Sequence, residues 1–231
     1  MKYVIIGNSA AAVGCVEGIR SVDRTGTVTV ISDEPYPVYS RPLISYLLCG
    51  KTDEEHMKYR PDDFYRKNGV KALLGRKAVG VDPRRKTVSL ETGEQVPFDR
   101  LLFATGSHPF VPPMEGLESV EKKFSFMKLD DAKALGAALS EKTRVLIVGA
   151  GLIGLKCAEG IRGRVQSIAV VDLADRILPS ILDAEGSAIV RRHLEKQGIR
   201  FALGDSVARF TGRTALLKSG GKIPRMGRPS F

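Results

Sequence analysis

The apolar positions of this chain fall in short runs separated by polar, glycine-bearing turns, and the runs have two periods. Met1–Gly7, Thr27–Ile31, Val70–Leu74, Leu101–Ala104, Val145–Val148, Ile168–Asp172, Phe201–Leu203 and Thr214–Lys218 read as strands. Helical stretches lie between them. Asp183–Gln197 carries Ile189, Val190 and Leu194 at helical spacing and stops at Gly198, and Leu129–Leu135 opens a helix with Asp130 as its candidate N-cap. Pro42–Leu48 and Pro61–Asn68 each start with proline in the first turn, and Gly69 closes the second. Lys86–Leu90 and Gln95–Phe98 flank a Thr92-Gly93 turn and predict a hairpin. Strands alternating with helices predict an α/β fold.

One junction carries chemistry. Val145–Val148 runs into Gly149-Ala-Gly151-Leu152-Ile153-Gly154, a G-x-G-x-x-G turn followed by a helix and then by a strand ending at Asp172. Gly149 permits the tight turn, Gly151 lets a pyrophosphate approach the backbone, and Gly154 lets the helix pack close to the sheet. The phosphates would sit on free N–H groups at the helix N-terminus, with Leu152 and Ile153 in its first turn. Asp172 would accept from the ribose hydroxyls and repel a 2′-phosphate, so the pattern predicts NADH rather than NADPH.

The chain opens on a weaker copy. The strand ending at Gly7 leads into Asn8-Ser9-Ala10-Ala11-Ala12, with Ser9 and Ala12 at the second and third glycine positions, and the next strand leads to Asp33 and Glu34. Small residues keep close backbone approach open, although Ser9 takes positive φ less freely than glycine. Two such copies in one chain predict two nucleotide-binding units. The proline-rich stretch Pro109–Pro113 marks the boundary, giving units of 1–111 and 112–231.

Composition narrows the class. An apolar content of 43% suffices for real cores. No apolar run reaches the ~20 residues of a membrane span, and the first one ends at Gly7, too soon for a signal-peptide core, so a soluble cytoplasmic protein is expected. Cys15, Cys49 and Cys157 show no C-x-x-C or C-x₄-C spacing, and with His56, His108 and His193 scattered no metal site is expected. Cys15 and Cys157 read as small core residues rather than nucleophiles. The net charge of +10 is dispersed over short clusters such as Arg84–Lys86 and Arg191-Arg192 without interleaved aromatics. Dispersal of this kind reads as solvated faces first and as a docking surface for an acidic partner second; nucleic-acid binding is not expected.

Taken in order, Gly7–Ala11, Asp33-Glu34-Pro35, Tyr39-Ser-Arg41-Pro42-Leu43, Ala104-Thr105-Gly106-Ser-His-Pro109 and Gly149–Gly154 resemble the FAD-dependent pyridine nucleotide-disulfide oxidoreductases. The resemblance covers nearly the whole chain and implies two Rossmann-like units, the first for FAD and the second for NAD(P)H, with hydride passing from nicotinamide C4 to flavin N5. It implies that Gly7, Ser9, Ala10 and Ala11 cradle the FAD pyrophosphate, that Asp33 or Glu34 holds its ribose, and that Arg41 and Pro42 lie beside the flavin end. It also implies that Ala78 makes the backbone contact to adenine and that Ala104, Thr105 and Gly106 form the crossing where the chain leaves the FAD unit. No side chain is implied as acid or base. For Tyr39–Leu43 the residues alone read as an ordinary loop with a proline-started helix.

Thiol-using members carry cysteine where Arg41 and Pro42 stand, and Cys49 comes about two helical turns later. The Tyr-x-Arg-Pro-Leu pattern resembles ferredoxin and rubredoxin reductases, which implies an acidic iron-protein electron acceptor. Two other readings stay open: an NADH oxidase using oxygen, and a nucleotide-binding remnant without turnover. Lys156 stands where many relatives have a glutamate facing the flavin; it reads equally as a cation near the isoalloxazine and as a solvated helix residue. Members continue past this length, so the resemblance implies a truncated chain with an incomplete FAD unit and a nearly complete NAD unit with an irregular tail from about residue 225. A homodimer or a completing partner chain is then expected.

Overall fold

The computed structural model describes residues 1–212 and 214–219, so the tail expected from about residue 225 lies outside the described residues. The chain begins with β1 (Lys2–Ile6), α1 (Ala10–Val22), β2 (Thr27–Ser32), a 3-10 turn (Arg41–Leu43), α2 (Ile44–Leu48), α3 (Phe64–Lys67) and β3 (Val70–Leu74). It continues with β4 (Ala78–Asp82), β5 (Thr87–Leu90), β6 (Gln95–Pro97) and β7 (Arg100–Phe103). After the proline-rich stretch come α4 (Leu129–Ala138), β8 (Arg144–Val148), α5 (Leu152–Ile161), β9 (Ser167–Asp172), α6 (Ala184–Lys196), β10 (Ile199–Leu203), β11 (Val207–Thr211) and β12 (Thr214–Leu217).

These elements form two compact units. One holds residues 1–40 and 54–108, the other 41–53 and the chain from Pro109 onward. The sequence expectation divides the chain at 111/112, whereas these units divide at 108/109 and residues 41–53 group with the second. The cause is close packing of α2 on α5. A Cβ added to Gly160 would come 2.7 Å from the Ser45 carbonyl oxygen, so glycine is what lets the two backbones meet. The Arg164 guanidinium then donates from Nη1 to the Leu48 carbonyl and from Nη2 to that of Gly136, both at 3.0 Å.

In the first unit the parallel sheet runs β3-β2-β1-β7. Successive side chains point to opposite faces. Ile5, Val28 and Val30 pack with Ala12, Val13 and Val16 of α1 on one face, while Val4, Ile6 and Ile31 pack with Val88, Leu90 and Val96 of the antiparallel β4-β5-β6 meander on the other. Burial on both faces explains why β1 and β2 are apolar throughout. Each such side chain is worth roughly 1.5–3 kcal/mol of burial. In the second unit the parallel sheet runs β10-β9-β8, and the β11–β12 hairpin covers Leu146, Val171 and Ala202.

The two units repeat one frame to the level of single hydrogen bonds. The Gly7 N–H donates to the Ile31 carbonyl and the Gly149 N–H to that of Val171, both at 2.8 Å. The Gly75 N–H reaches Glu34 and the Gly204 N–H reaches Ala174; the Arg76 N–H reaches Ser32 and the Asp205 N–H reaches Asp172. Ser32 and Asp172 are therefore equivalent positions.

Several local expectations are corrected. The helix after Lys128 is capped not by Asp130 but by Asp131, whose carboxylate accepts the N–H groups of Lys128 and Met127 at 3.0 and 2.8 Å. On α6, Leu194 is buried but Ile189 is exposed, because positions five residues apart lie about 140° apart around the helix and do not share a face. The helix expected from Pro61 starts at Phe64, the preceding residues forming a turn. Strands β4 and β11 add to the elements read from the sequence. The Thr92-Gly93 hairpin forms as expected, with the Gly93 N–H on the Leu90 carbonyl. Among the described residues no helix is long and apolar enough to cross a membrane.

Candidate dinucleotide-binding sites

The three glycines after β8 are there for three different reasons. Gly149 has φ +116°, a conformation that side-chain-bearing residues rarely adopt. A Cβ on Gly154 would overlap the Gly149 carbonyl and press on Ile147, so this glycine brings α5 against the turn. Gly151 is different. Its φ of −76° suits any residue, and a Cβ there would meet no protein atom within 4 Å. Nothing inside the protein requires glycine at 151; a Cβ would instead fill the cradle at the start of α5, which fits a ligand lying against the backbone.

The cradle's electrostatics suit an anion. The first bond of α5 runs from the Leu155 N–H to the Gly151 carbonyl, so the N–H groups of Leu152, Ile153 and Gly154 precede the helix ladder at its positive end. Leu152 and Ile153 are exposed beside them. Asp172 closes the far side, its Oδ2 accepting the Ala150 N–H at 2.6 Å and its Oδ1 the Ala174 N–H at 2.8 Å. Each carboxylate oxygen has a further lone pair, so the residue can hold the turn and still accept a hydroxyl.

The first unit builds the same cradle with other residues. Gly7 has φ +117°, and a Cβ on it would overlap the Ala104 carbonyl where the chain leaves β7. The Ala104 N–H donates to the Ile6 carbonyl at 2.7 Å, and Thr105 and Gly106 follow on the surface. Ser9 is the N-cap of α1 with φ −141°, an extended conformation open to any residue, so the serine is unstrained where the fingerprint has glycine. Ala10 and Ala11 are exposed at the helix start. Asn8 fixes the turn from behind, donating to the Tyr36 carbonyl and accepting from the Tyr65 hydroxyl at 2.9 Å. Burial raises the pKa of Tyr65 above its ordinary value.

Of the two candidate ribose carboxylates, Glu34 is buried and accepts the Tyr39 hydroxyl at 2.6 Å, whereas Asp33 is exposed. The position equivalent to Asp172 is occupied by Ser32, whose Oγ accepts the Glu34 N–H as Asp172 Oδ1 accepts that of Ala174. Ala78 opens β4 opposite Leu90, half-buried against the meander core. Arg41 and Pro42 belong to the second unit, where Arg41 Nη1 donates to the Met127 carbonyl. Lys156 is an engaged cation: its Nζ bonds Glu159 Oε2 at 2.6 Å and stands 4.6 Å from the Tyr46 ring centroid. That bond raises the pKa of Lys156 and lowers that of Glu159. Burial pushes the Cys157 thiol up to about 12, so it is no nucleophile at neutral pH. The roles of Asn8, Tyr65 and the Tyr39–Glu34 pair escaped sequence reasoning, because each depends on partners distant along the chain.

A protein of two Rossmann-like units, each with a strand-to-helix cradle at the end of a parallel sheet, is the class this geometry defines. Residues 1–225 match the model of the pyridine nucleotide-disulphide oxidoreductase family, and the chain belongs to that family. Its members are FAD-containing, NADH-using oxidoreductases. The chain is 31% identical over 221 residues to an NADH oxidase of Methanocaldococcus jannaschii, covering 92% of this chain and 49% of that one. It is 29% identical over 229 residues to a rubredoxin-NAD(+) reductase of Pseudomonas putida, covering 96% and 59%. Among solved structures, a water-forming NADH oxidase from Lactobacillus brevis bound to NADH superposes with a TM-score of 0.85 at 25% identity, over 95% of this chain and 51% of the other. The chain thus spans about half the length of these relatives.

Proposed function

We propose that this chain is the nucleotide-binding portion of an NADH-dependent flavin oxidoreductase that delivers electrons to a small acidic iron protein. The observation that carries the reading is Gly151, a glycine that neither backbone conformation nor protein packing requires, at the head of a helix flanked by a carboxylate. Its Cβ-free cradle with the N–H groups of Leu152, Ile153 and Gly154 would bind the NADH pyrophosphate. Asp172 would take the ribose hydroxyls and disfavour a 2′-phosphate. In the first unit Gly7, Ser9, Ala10 and Ala11 would bind the FAD pyrophosphate, Ala104, Thr105 and Gly106 would line the crossing, and Ala78 would contact the adenine. Asp33, exposed after β2, or Glu34, buried on the Tyr39 hydroxyl, would hold its ribose.

When bound, FAD supplies a two-electron acceptor that can release electrons one at a time. The chain's part is binding and orientation, with no side chain acting as acid or base. Arg41 and Pro42 stand where thiol-using members have cysteine, which supports an acceptor outside the chain. The name of the P. putida relative supports rubredoxin as its type, and a net charge of +10 suits an acidic carrier. The name of the M. jannaschii relative supports oxygen as a second acceptor.

The test is a visible spectrum of the purified chain before and after NADH under argon. A flavin spectrum that bleaches is expected; a colourless protein that NADH leaves unchanged overturns the flavin reading. NADH consumption with rubredoxin against oxygen alone then separates the two acceptors.

A further inference from the structure

We infer that Leu178 is a positioning residue for the second cradle: its backbone N–H, delivered by a left-handed conformation, aims the Gly149–Gly154 turn for a pyrophosphate. The inference rests on the reading of that cradle as the NADH site. Ala150, between the first two glycines, is fully buried and gripped from both sides. Its N–H goes to Asp172 Oδ2 at 2.6 Å, and its carbonyl accepts the Leu178 N–H at 3.1 Å. The Ala150 carbonyl and the Gly151 N–H share one planar trans peptide unit and point in opposite directions. Fixing the carbonyl on Leu178 therefore fixes the Gly151 N–H on the side away from the loop, at the head of α5.

Leu178 has φ +49°, and with Lys86 it is one of two residues other than glycine at positive φ among the described residues. A leucine keeps that conformation only where its surroundings enforce it. Ile177 is fully buried, Ser187 Oγ of α6 donates to the Ile177 carbonyl at 2.8 Å, and the Leu178 carbonyl accepts the N–H groups of Ile181 and Leu182 at 3.0 and 2.9 Å. The loop is thus fastened to α6 and presents one N–H to the turn. The first unit ties the same two places by other means. Val38 stands six residues after Ser32 as Leu178 stands six after Asp172, and Asn8 follows Gly7 as Ala150 follows Gly149. The Val38 N–H donates to the Tyr65 hydroxyl at 3.1 Å, and that hydroxyl donates to Asn8 Oδ1 at 2.9 Å. Side chains carry the tie there; in the second unit a strained backbone carries it.

Two substitutions and one exchange measurement test this. Leu178→Gly and Leu178→Pro both remove the side chain, but glycine takes positive φ freely and keeps the N–H, whereas proline sets φ at about −65° and has none. NADH titration is expected to find Leu178→Gly within about threefold of the wild type and Leu178→Pro weaker by about tenfold or more. A leucine that only packs predicts the same loss for both, which overturns the inference. In the wild type the coupling is reciprocal, so saturating NADH is expected to slow exchange of the Leu178 amide about tenfold beyond any slowing of the Val170 amide in β9. Equal slowing of the two amides also overturns the inference, and this measurement decides even where Leu178→Pro does not fold. A wild-type chain that binds no NADH removes the coenzyme reading and the inference together; a wild type that binds, with Leu178→Pro unaffected, removes the inference alone.

Discussion

Asp172 accepts the backbone N–H of Ala150 at 2.6 Å, so the carboxylate expected to read the ribose also holds the glycine-rich turn in place. Its counterpart Ser32 makes the onward bond two residues later and has no bond to the turn. Asp172→Ser therefore keeps the Ala174 contact while removing the charge and the Ala150 contact. A charge-assisted hydrogen bond of about 1.5–3 kcal/mol predicts NADH binding weaker by roughly 10–100-fold. The loss should be smaller for NADPH, whose 2′-phosphate the carboxylate repels. Fluorescence titration of both coenzymes reads this, and an unchanged ratio removes Asp172 from the site.

The glycines of the second cradle should separate stability from binding. Gly149→Ala and Gly154→Ala force, respectively, a left-handed alanine and an overlap with the Gly149 carbonyl, so each should cost about 1–3 kcal/mol in urea unfolding. Gly151→Ala should leave unfolding within ~0.5 kcal/mol and weaken NADH binding at least about tenfold. Equal destabilisation by all three variants would make the cradle a purely structural turn.

Release of residues 41–53 from the second unit should follow from Arg164→Ala, which removes two hydrogen bonds to carbonyls, or from Gly160→Ala, whose Cβ would press on Ser45. Trypsin cleavage at Lys51 should accelerate about tenfold or more, tracking the free energy of local opening. Cleavage at the wild-type rate would show that the segment is held by other contacts.

The alkaline stability limb should carry the signature of Cys157. Burial raises its folded-state pKa from 9.0 to about 12, so its contribution is fully present below pH 9 and is lost as pH rises from 9 to 12. The loss should be roughly 2–4 kcal/mol, and Cys157→Ala should flatten it. Thiol reagents at pH 8 should leave Cys157 unmodified until the chain unfolds; rapid labelling in the native state would contradict this.

What the sequence made legible were features that local physics requires. Gly149 and Gly154 are demanded by backbone conformation and packing, and the Thr92-Gly93 turn pins its hairpin. Strand β4 was hidden because Gly80 sits beside an irregularity in its register with β5, and β11 because Val207–Thr211 is short and has a comparable irregularity. The grouping of residues 41–53 could not be read locally, since it rests on Gly136, Gly160 and Arg164, far along the chain. Asp33 and Glu34 were indistinguishable as letters; the structure exposes the first and buries the second on the Tyr39 hydroxyl.

Helix α5 has one further consequence. Its ten residues make a rod about 15 Å long, with no proline or break along it. One end begins at the Gly151 cradle, and near the other Gly160 seats the segment that begins at Arg41 and Pro42. The Gly149–Gly154 turn and the segment that begins at Arg41 are therefore seated at the two ends of one unbroken element of the second unit.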